Sequence, residues 1–264
     1  MQDLKVAIIQ TNLAWENHEA NRSILGKKID PIVKSSDVIL LPEMFATAFT
    51  MNAESCAEDE SGESVRWMQQ KAKEKECVIG GSLLIRDSGK CYNRFYWVRP
   101  DGTFEMYNKR HLFRMGHEDF TMTPGSATKI VSLKGWKINL QICYDLRFPV
   151  WSKNKFIDDQ YDYDVLIYVS NWPTVRKYAY KNLLVARAIE NQAYVIWVNR
   201  VGKDGNRVDH SGDSMIIDPS GIILHKAPPD QEIILNGVLS SKTLFSVRQK
   251  FKVGLDWDNF QIKS

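Results

Sequence analysis

Three residues with reactive side chains lie where apolar runs of the sequence give way to polar chain. Glu43 follows DVILLP, Lys109 lies within MYNKRHLF, and Cys143 closes the run WKINLQI. If they meet, the thiol can act as a nucleophile, because a nearby cation favours its thiolate form. The carboxylate can take the thiol proton and later activate water, and the ammonium can hold negative charge on a carbonyl oxygen. Singly, each would more often be a packed cysteine, a surface lysine or a turn glutamate, so the hypothesis depends on all three together.

Patterns typical of other chemistries are missing from the 264 residues. The five histidines show no HxH or HExxH spacing and the four cysteines form no CxxC pair, so we expect no metal. The sequence contains no phosphate-binding glycine motif and no GxSxG turn, and we expect no organic cofactor. The sequence therefore favours thiol chemistry that uses protein side chains alone.

Composition and charge exclude several classes of protein. Hydrophobic residues make up 44% of the chain and charged residues 25%, as in an ordinary globular protein. A net charge of +3 is too small for a nucleic-acid binder, and no apolar run is long enough for a membrane span. The start MQDLKVAIIQ lacks the features of a secretory signal. We therefore expect a cytoplasmic protein with free thiols that binds neither nucleic acid nor membrane.

The elements that must position the reactive residues alternate between strands and helices. DVILLPE, a helix and CVIGGSLLI in the first half match DVLIYVSNWP, a helix over 175–191 and AYVIWVNR in the second half. We predict one α/β domain over 1–264, a four-layer α-β-β-α sandwich of two stacked mixed sheets flanked by helices. In such architectures ligands gather at the carboxyl ends of strands, where the reactive residues are expected.

The segments around these residues resemble a known family. LPEMF at Glu43, YNKRHLF at Lys109 and ICYDLRFP at Cys143 are similar, in order and spacing, to three motif blocks of the nitrilase (carbon–nitrogen hydrolase) superfamily. The likeness extends to KVAIIQ, NWP, ARAIENQAYV and GDSMIIDPSG, nearly the whole chain. The resemblance implies the same sandwich, with Cys143 as nucleophile, Glu43 as general base and Lys109 as oxyanion stabiliser. It also implies that the backbone N–H of Tyr144 helps to hold the oxyanion, and that Glu118, in HEDFTMTPG, is a second catalytic glutamate.

Within the superfamily, CYDLRFPVWS, NWP and ARAIENQAYV look most like the ω-amidase branch. That resemblance implies a small amide substrate such as 2-oxoglutaramate or 2-oxosuccinamate, which water hydrolyses through a thioester with release of ammonia. The far carboxylate of such a substrate needs a cation, which the sequence alone does not choose. The candidates are Arg114, Arg147, Arg176 and Arg187. Arg147 and Arg187 suit a structural role equally well. We expect Phe45 and Trp172 to line the pocket, although plain packing is as good an interpretation.

Other functions stay open. A chain of the same fold could act on another amide, for example deaminated glutathione, or it could be a non-catalytic binding protein, although a binder has no use for all three reactive residues. A redox-sensing thiol would need a resolving cysteine near Cys143, and none is adjacent in sequence. The superfamily is usually dimeric or larger. Because the tail over 242–264 is rich in aromatic residues, we predict a homodimer or larger homo-oligomer in which this tail packs on the partner.

Overall fold

A computed structural model describes residues 1–32 and 36–262 of the chain. In chain order its strands are β1 (Leu4–Gln10), β2 (Val38–Leu40), β3 (Glu58–Asp59), β4 (Val78–Asp87), β5 (Lys90–Val98), β6 (Phe104–Asn108), β7 (Ile130–Leu133), β8 (Trp136–Ile142), β9 (Phe156–Ile157), β10 (Gln160–Tyr161), β11 (Val165–Ser170), β12 (Tyr194–Asn199), β13 (Val201–Lys203), β14 (Asp209–Ser211), β15 (Met215–Ile217), β16 (Ile223–Lys226) and β17 (Ile233–Leu239). The α-helices are α1 (His18–Ile29), α2 (Ala53–Cys56), α3 (Glu63–Lys75), α4 (Glu118–Thr121), α5 (Pro149–Ser152), α6 (Lys177–Asn191) and α7 (Ser241–Lys250). Short 3-10 turns lie at Arg114–Gly116, Cys143–Arg147, Thr174–Arg176 and Val253–Asp256.

The two large sheets share one plan. The first has the order β17-β1-β2-β4-β5-β6, with β3 paired to β4, and the second has the order β16-β15-β12-β11-β8-β7. In each sheet the central strands run parallel, β1, β2 and β4 in the first and β8, β11 and β12 in the second, with antiparallel strands beside them. Parallel strands are covered on both faces, which explains their continuous apolar runs. The repeat seen in the sequence is therefore present in the fold.

The sheets stack face to face, and helices cover their outer faces. Val6 and Ile8 of β1 share one buried apolar cluster with Ile138 and Leu140 of β8, so this cluster lies between the sheets. The alternate residues of β1 instead join a second cluster with side chains of α1 and α3. Each aliphatic side chain buried in this way contributes about 1.5–3 kcal/mol. This burial confirms the predicted sandwich of two stacked mixed sheets flanked by helices.

The tail helix α7 packs on its own chain. Leu244 is fully buried, and the guanidinium of Arg248 lies 2.6 Å from the carboxylate of Asp164, next to the start of β11. The prediction that the tail packs on a partner therefore concerns only its exposed apolar residues, among them Phe245 and Phe251, which are 51% and 67% exposed. None of the helices in the described part of the chain is both long and apolar enough to cross a bilayer.

Candidate active site

Glu43 lies just past β2, and its side chain is fully buried. Its Oε1 atom accepts hydrogen bonds from Lys109 Nζ and Asn93 Nδ2, each at 2.8 Å. Its Oε2 atom accepts the backbone N–H of Asn171 at 2.8 Å, across the interface from the second sheet. Within residues 1–32 and 36–262, Oε1 thus has two hydrogen-bond donors and Oε2 one, which leaves Oε2 the better placed oxygen to take a proton.

Lys109 follows β6 and is buried between two carboxylates. Its Nζ atom lies 2.8 Å from Glu43 Oε1 and 3.0 Å from both carboxylate oxygens of Glu118. Burial alone would lower the pKa of Lys109, but the carboxylates of Glu118 and Glu43 outweigh burial and raise the pKa above its ordinary value. The lysine is therefore charged at any working pH, as an oxyanion stabiliser must be.

Glu118 opens the short helix α4 and is fully buried. Besides Lys109, its carboxylate accepts the backbone N–H of Phe113 at 2.6 Å and Nδ2 of Asn93 at 3.2 Å. Burial raises the pKa of Glu118; Lys109 opposes the rise, Glu43 adds to it, and the net shift is upward. Two buried carboxylates around one ammonium carry an excess negative charge, which opposes the ionisation of Glu118.

Cys143 begins the 3-10 turn that follows β8, with φ at 43° in the left-handed region. Only 8% of the residue is exposed. Burial raises the pKa of its thiol well above the ordinary value, Glu43 raises it further, and Lys109 lowers it only in part. The surroundings of the thiol therefore disfavour its thiolate form, and the attack needs a base. Lys109 favours the thiolate, as the sequence suggested, but burial and Glu43 act in the opposite direction and the net shift of the pKa is upward.

A cavity of about 350 Å³ opens onto the thiol. Lys109, Cys143, Tyr144 and Asn171 line its base, where the ends of the two sheets meet. Aromatic and aliphatic side chains form most of the remaining wall. They include Phe49, Met51, Phe113, Met115, Trp172 and Val175. The volume lies at the low end for a small-molecule site, so it fits a small substrate.

Two of the four candidate arginines also line this cavity. Arg147 lies over the ring of Trp172 at 5.1 Å, and Arg176 lies over the ring of Phe113 at 5.1 Å. Neither has an ion-pair partner among the residues that the structure describes. Aromatic faces hold both guanidinium groups in place while leaving their N–H donors available for an anion.

The structure does not bring every predicted residue to the cavity. Phe45 is fully buried behind β4, in the cluster of α1 and α3, with its ring centroid 5.7 Å from that of Trp67. The expectation that Phe45 lines the pocket is therefore wrong. Arg114 points to solvent and pairs with Asp119, and Arg187 is buried with its Nη2 donating to the carbonyl oxygen of Leu146 at 2.7 Å. Of the two aromatic candidates, Trp172 is the one at the cavity wall.

Sequence reasoning missed two asparagines that hold Glu43. Asn93 lies inside strand β5, before Arg94, and donates to both Glu43 and Glu118. Asn171 follows β11 and uses its backbone N–H. The available signal at Asn93 was an amide side chain in the middle of a strand, because such an amide needs a partner once the strand is buried. In the described part of the chain, no group of three or more acidic, histidine or cysteine side chains could hold a metal ion.

Two stacked mixed sheets, with a cysteine, two glutamates and a lysine gathered where their strands end, define a class. This is the arrangement of nitrilase-type hydrolases, which cleave carbon–nitrogen bonds. Residues 5–249 match the Carbon-nitrogen hydrolase family. The chain belongs to this family and is a hydrolase of carbon–nitrogen bonds in linear amides.

Individual relatives agree with this assignment. The chain is 43% identical to the omega-amidase YafV of Yersinia enterocolitica, over 98% of this chain and 99% of that protein. It is 32% identical to the 2-oxoglutaramate amidase of Bacillus subtilis, over 87% of this chain and 88% of the relative. It also resembles a solved CN-hydrolase superfamily protein from Xanthomonas campestris, which carries an arsenic adduct in its active site. That likeness has a TM-score of 0.98 at 39% identity and covers 100% of both chains. The family predicted from the sequence is confirmed.

Proposed function

We propose that the protein is an ω-amidase that releases ammonia from a small ω-monoamide of a dicarboxylic or α-keto acid, such as 2-oxoglutaramate or 2-oxosuccinamate. One observation carries the proposal: a small cavity joins the Cys143 thiol and its charged base to a wall that carries Arg147 and Arg176. A substrate with an amide at one end and a carboxylate at the other matches that division. The names of the relatives, omega-amidase and 2-oxoglutaramate amidase, support the same substrate class.

In the first half of the reaction, Glu43 takes the proton of Cys143 as the sulfur attacks the amide carbon. Lys109 and the backbone N–H of Tyr144 stabilise the oxyanion of the tetrahedral intermediate. The protonated Glu43 then gives its proton to the amide nitrogen, the carbon–nitrogen bond breaks, and ammonia leaves. A thioester on Cys143 remains. Because burial and Glu43 raise the pKa of the thiol, proton transfer to Glu43 accompanies the attack.

In the second half, Glu43 takes a proton from water, and the resulting hydroxide attacks the thioester carbon. The oxyanion again lies beside Lys109. When the intermediate collapses, the carbon–sulfur bond breaks, the acid leaves, and the proton on Glu43 returns to the sulfur. Glu118 keeps Lys109 in place through both halves, because both of its carboxylate oxygens lie 3.0 Å from the ammonium.

Arg176 is the cation that we assign to the far carboxylate of the substrate. Its guanidinium is half-buried, and burial lowers its pKa while the nearby Cys143 opposes that shift. Loss of solvent strengthens its attraction for an anion. Arg147 is more exposed and lies further toward the rim, so its contribution should be smaller.

The test is ammonia release from 2-oxoglutaramate by the wild type and by Cys143→Ala, with glutamine, a simple nitrile and deaminated glutathione as comparison substrates. Fast release from 2-oxoglutaramate by the wild type alone, with little from the comparison substrates, would support the proposal. Faster release from deaminated glutathione than from 2-oxoglutaramate would make deaminated glutathione the better assignment of the substrate. No release from any of these compounds, together with a Cys143 thiol inert to alkylation at every pH tested, would favour a binding protein of the same fold.

We also propose a cytoplasmic homodimer that buries the exposed residues of the tail. The four cysteines are free thiols, as expected in a reducing compartment. Phe251 and Leu255 expose 67% and 64% of their surfaces, which suits an interface better than solvent. Deleting residues 245–264 should weaken assembly or folding, and a truncated protein of unchanged size and melting temperature would contradict this.

A further inference from the structure

The nucleophile and the oxyanion stabiliser come from different sheets. Cys143 follows β8 of the second sheet, whereas Lys109 follows β6 at the edge of the first. The segments that carry these two residues must be fixed relative to each other, because a misplacement of the reacting groups by about 1 Å can lower the rate about a hundredfold. The ion pair between Lys109 and Glu43 holds the end of the lysine side chain within the first sheet, but it joins side chains and does not fix the backbone of the Cys143 turn.

We propose that Asp145 is a positioning residue that fixes the turn of Cys143 to the residues on both sides of Lys109. This inference deepens the proposed function, because it takes Cys143 and Lys109 as the reacting pair. Asp145 lies two residues after Cys143 in the same 3-10 turn, and its side chain is fully buried.

The carboxylate of Asp145 accepts four hydrogen bonds. Its Oδ1 atom accepts the backbone N–H of His111 at 3.0 Å and lies 2.8 Å from the Nδ1 atom of the same residue. Its Oδ2 atom accepts the hydroxyl of Tyr107 at 2.8 Å and the backbone N–H of Ile142 at 3.1 Å. Tyr107 is two residues before Lys109 and His111 is two residues after it. One carboxylate therefore forms hydrogen bonds with residues on both sides of Lys109 and with the end of β8.

The partners of Asp145 are themselves fixed. The hydroxyl of Tyr107 accepts the indole N–H of Trp151, from α5, at 2.9 Å. The ring of His111 stacks on that of Phe148 with centroids 3.7 Å apart. Burial raises the pKa of Tyr107 well above its ordinary value, and Asp145 adds to the rise, so the hydroxyl keeps its proton and remains a donor. A carboxylate is an acceptor only, which matches four donors, whereas an amide would turn an N–H toward one pair of them.

The experiment compares Asp145→Asn with Asp164→Asn. Asp164 is also a buried aspartate, accepting the backbone N–H of Lys137 at 2.9 Å and pairing with Arg248, but it touches neither segment. We expect Asp145→Asn to lower kcat about 10- to 100-fold with KM within about twofold of the wild type, because the reacting groups are displaced. Asp164→Asn should lower the melting temperature and leave kcat unchanged below the melting transition.

A pair of variants at His111 decides the question even if Asp145→Asn does not fold. The His111 side chain is 23% exposed, so its replacement is easier to accommodate. His111→Ala removes a donor to Asp145 and should lower kcat, whereas His111→Asn offers an N–H near the position of Nδ1 and should restore most of it. If both Asp145→Asn and His111→Ala keep kcat within about twofold of the wild type, the proposal is overturned. It is also overturned if losses of kcat simply follow losses of melting temperature in all variants, Asp164→Asn included.

Alkylation of Cys143 by iodoacetamide separates this proposal from the substrate assignment. Lys109 favours the thiolate, so moving the lysine away should slow alkylation at neutral pH in Asp145→Asn and not in Asp164→Asn. If the wild type releases no ammonia from any amide tested, the proposed function fails, and the ratio of the alkylation rates still decides the role of Asp145. Equal rates in the wild type and Asp145→Asn would count against it.

Discussion

Two groups of charges, one beneath the base of the cavity and one at its wall, differ in how they are neutralised. At its base, Glu43, Lys109 and Glu118 are fully buried, and each lies within 3.0 Å of an opposite charge. At its wall, Arg147 and Arg176 contact aromatic faces and have no carboxylate partner in the described part of the chain. Buried charges are costly unless they are paired, whereas partly exposed guanidinium groups tolerate the absence of a partner.

This difference separates the chemistry from the recognition of the substrate. The base is already fixed before a substrate arrives, which suits groups that must meet a transition state in one geometry. The wall keeps its donors available, which suits groups that pair with a charge brought by the ligand. Changes at the base should therefore act on kcat, and changes at the wall on KM.

The largest expected effect follows from Glu43→Gln, which removes the base and should lower kcat by about 10³- to 10⁴-fold. The same change should speed alkylation of Cys143 at neutral pH, because the negative charge of Glu43 is one cause of the raised thiol pKa. A lower kcat together with faster alkylation would not be explained by unfolding of the variant. Slower alkylation in a folded Glu43→Gln protein would contradict this account of the base.

Lys109→Met should lower kcat by about 10²- to 10³-fold, the usual loss for one oxyanion donor. It should also slow alkylation, because Lys109 lowers the thiol pKa. Since Glu43 and Glu118 would be left buried without their cation, the free energy of unfolding should fall by about 3–5 kcal/mol. Urea titration followed by tryptophan fluorescence would measure that loss, and an unchanged unfolding midpoint would show that the buried pair does not stabilise the protein.

At the wall, Arg176→Met should raise KM for 2-oxoglutaramate about 10- to 100-fold while kcat changes little, because a charged hydrogen bond to the substrate is worth about 1.5–3 kcal/mol. Arg147→Met should have a smaller effect of the same kind, since Arg147 is more exposed. Steady-state kinetics on both variants would test the assignment. A larger rise in KM for Arg147→Met than for Arg176→Met would exchange their roles.

The smallest expected effect is that of salt. Added salt should raise KM a few-fold and leave kcat nearly constant, because solvent ions reach the wall and not the buried base. In Arg176→Met the dependence of KM on salt should be weaker than in the wild type, and the wild type serves as the control. A kcat that falls with salt as steeply as KM rises would show that the division between base and wall does not hold.

The sequence could predict the base better than the wall. Glu43, Lys109 and Cys143 each end an apolar run, and strand ends of the same kind meet at one edge of the fold. Which arginine enters the cavity depends on turns, and Thr174–Arg176 forms a 3-10 turn before α6 that helical periodicity over 175–191 does not reveal. The error at Phe45 has a local cause, since Met44 has a φ of 43° and strand alternation does not apply beyond it.

The protonation state of Cys143 was also beyond the sequence. It depends on the balance between burial, the negative charge of Glu43 and the positive charge of Lys109, and distances set each of these contributions. The sequence names one group that favours the thiolate, Lys109, and one that takes the thiol proton, Glu43, but it does not reveal the burial that raises the pKa most.

The contact between the two sheets at Glu43 has a consequence for how the enzyme acquires activity. The hydrogen bond from the backbone of Asn171 to Glu43 joins residues 128 positions apart in the chain. Contacts of such long range form slowly, because the chain must lose the entropy of a large loop before the contact contributes favourable free energy. Each sheet holds only part of the site, so a folding intermediate with one sheet formed lacks either the proposed base, Glu43, or the proposed nucleophile, Cys143. Recovery of ammonia release after dilution from denaturant should therefore lag behind recovery of circular dichroism, and turnover would report the completion of folding.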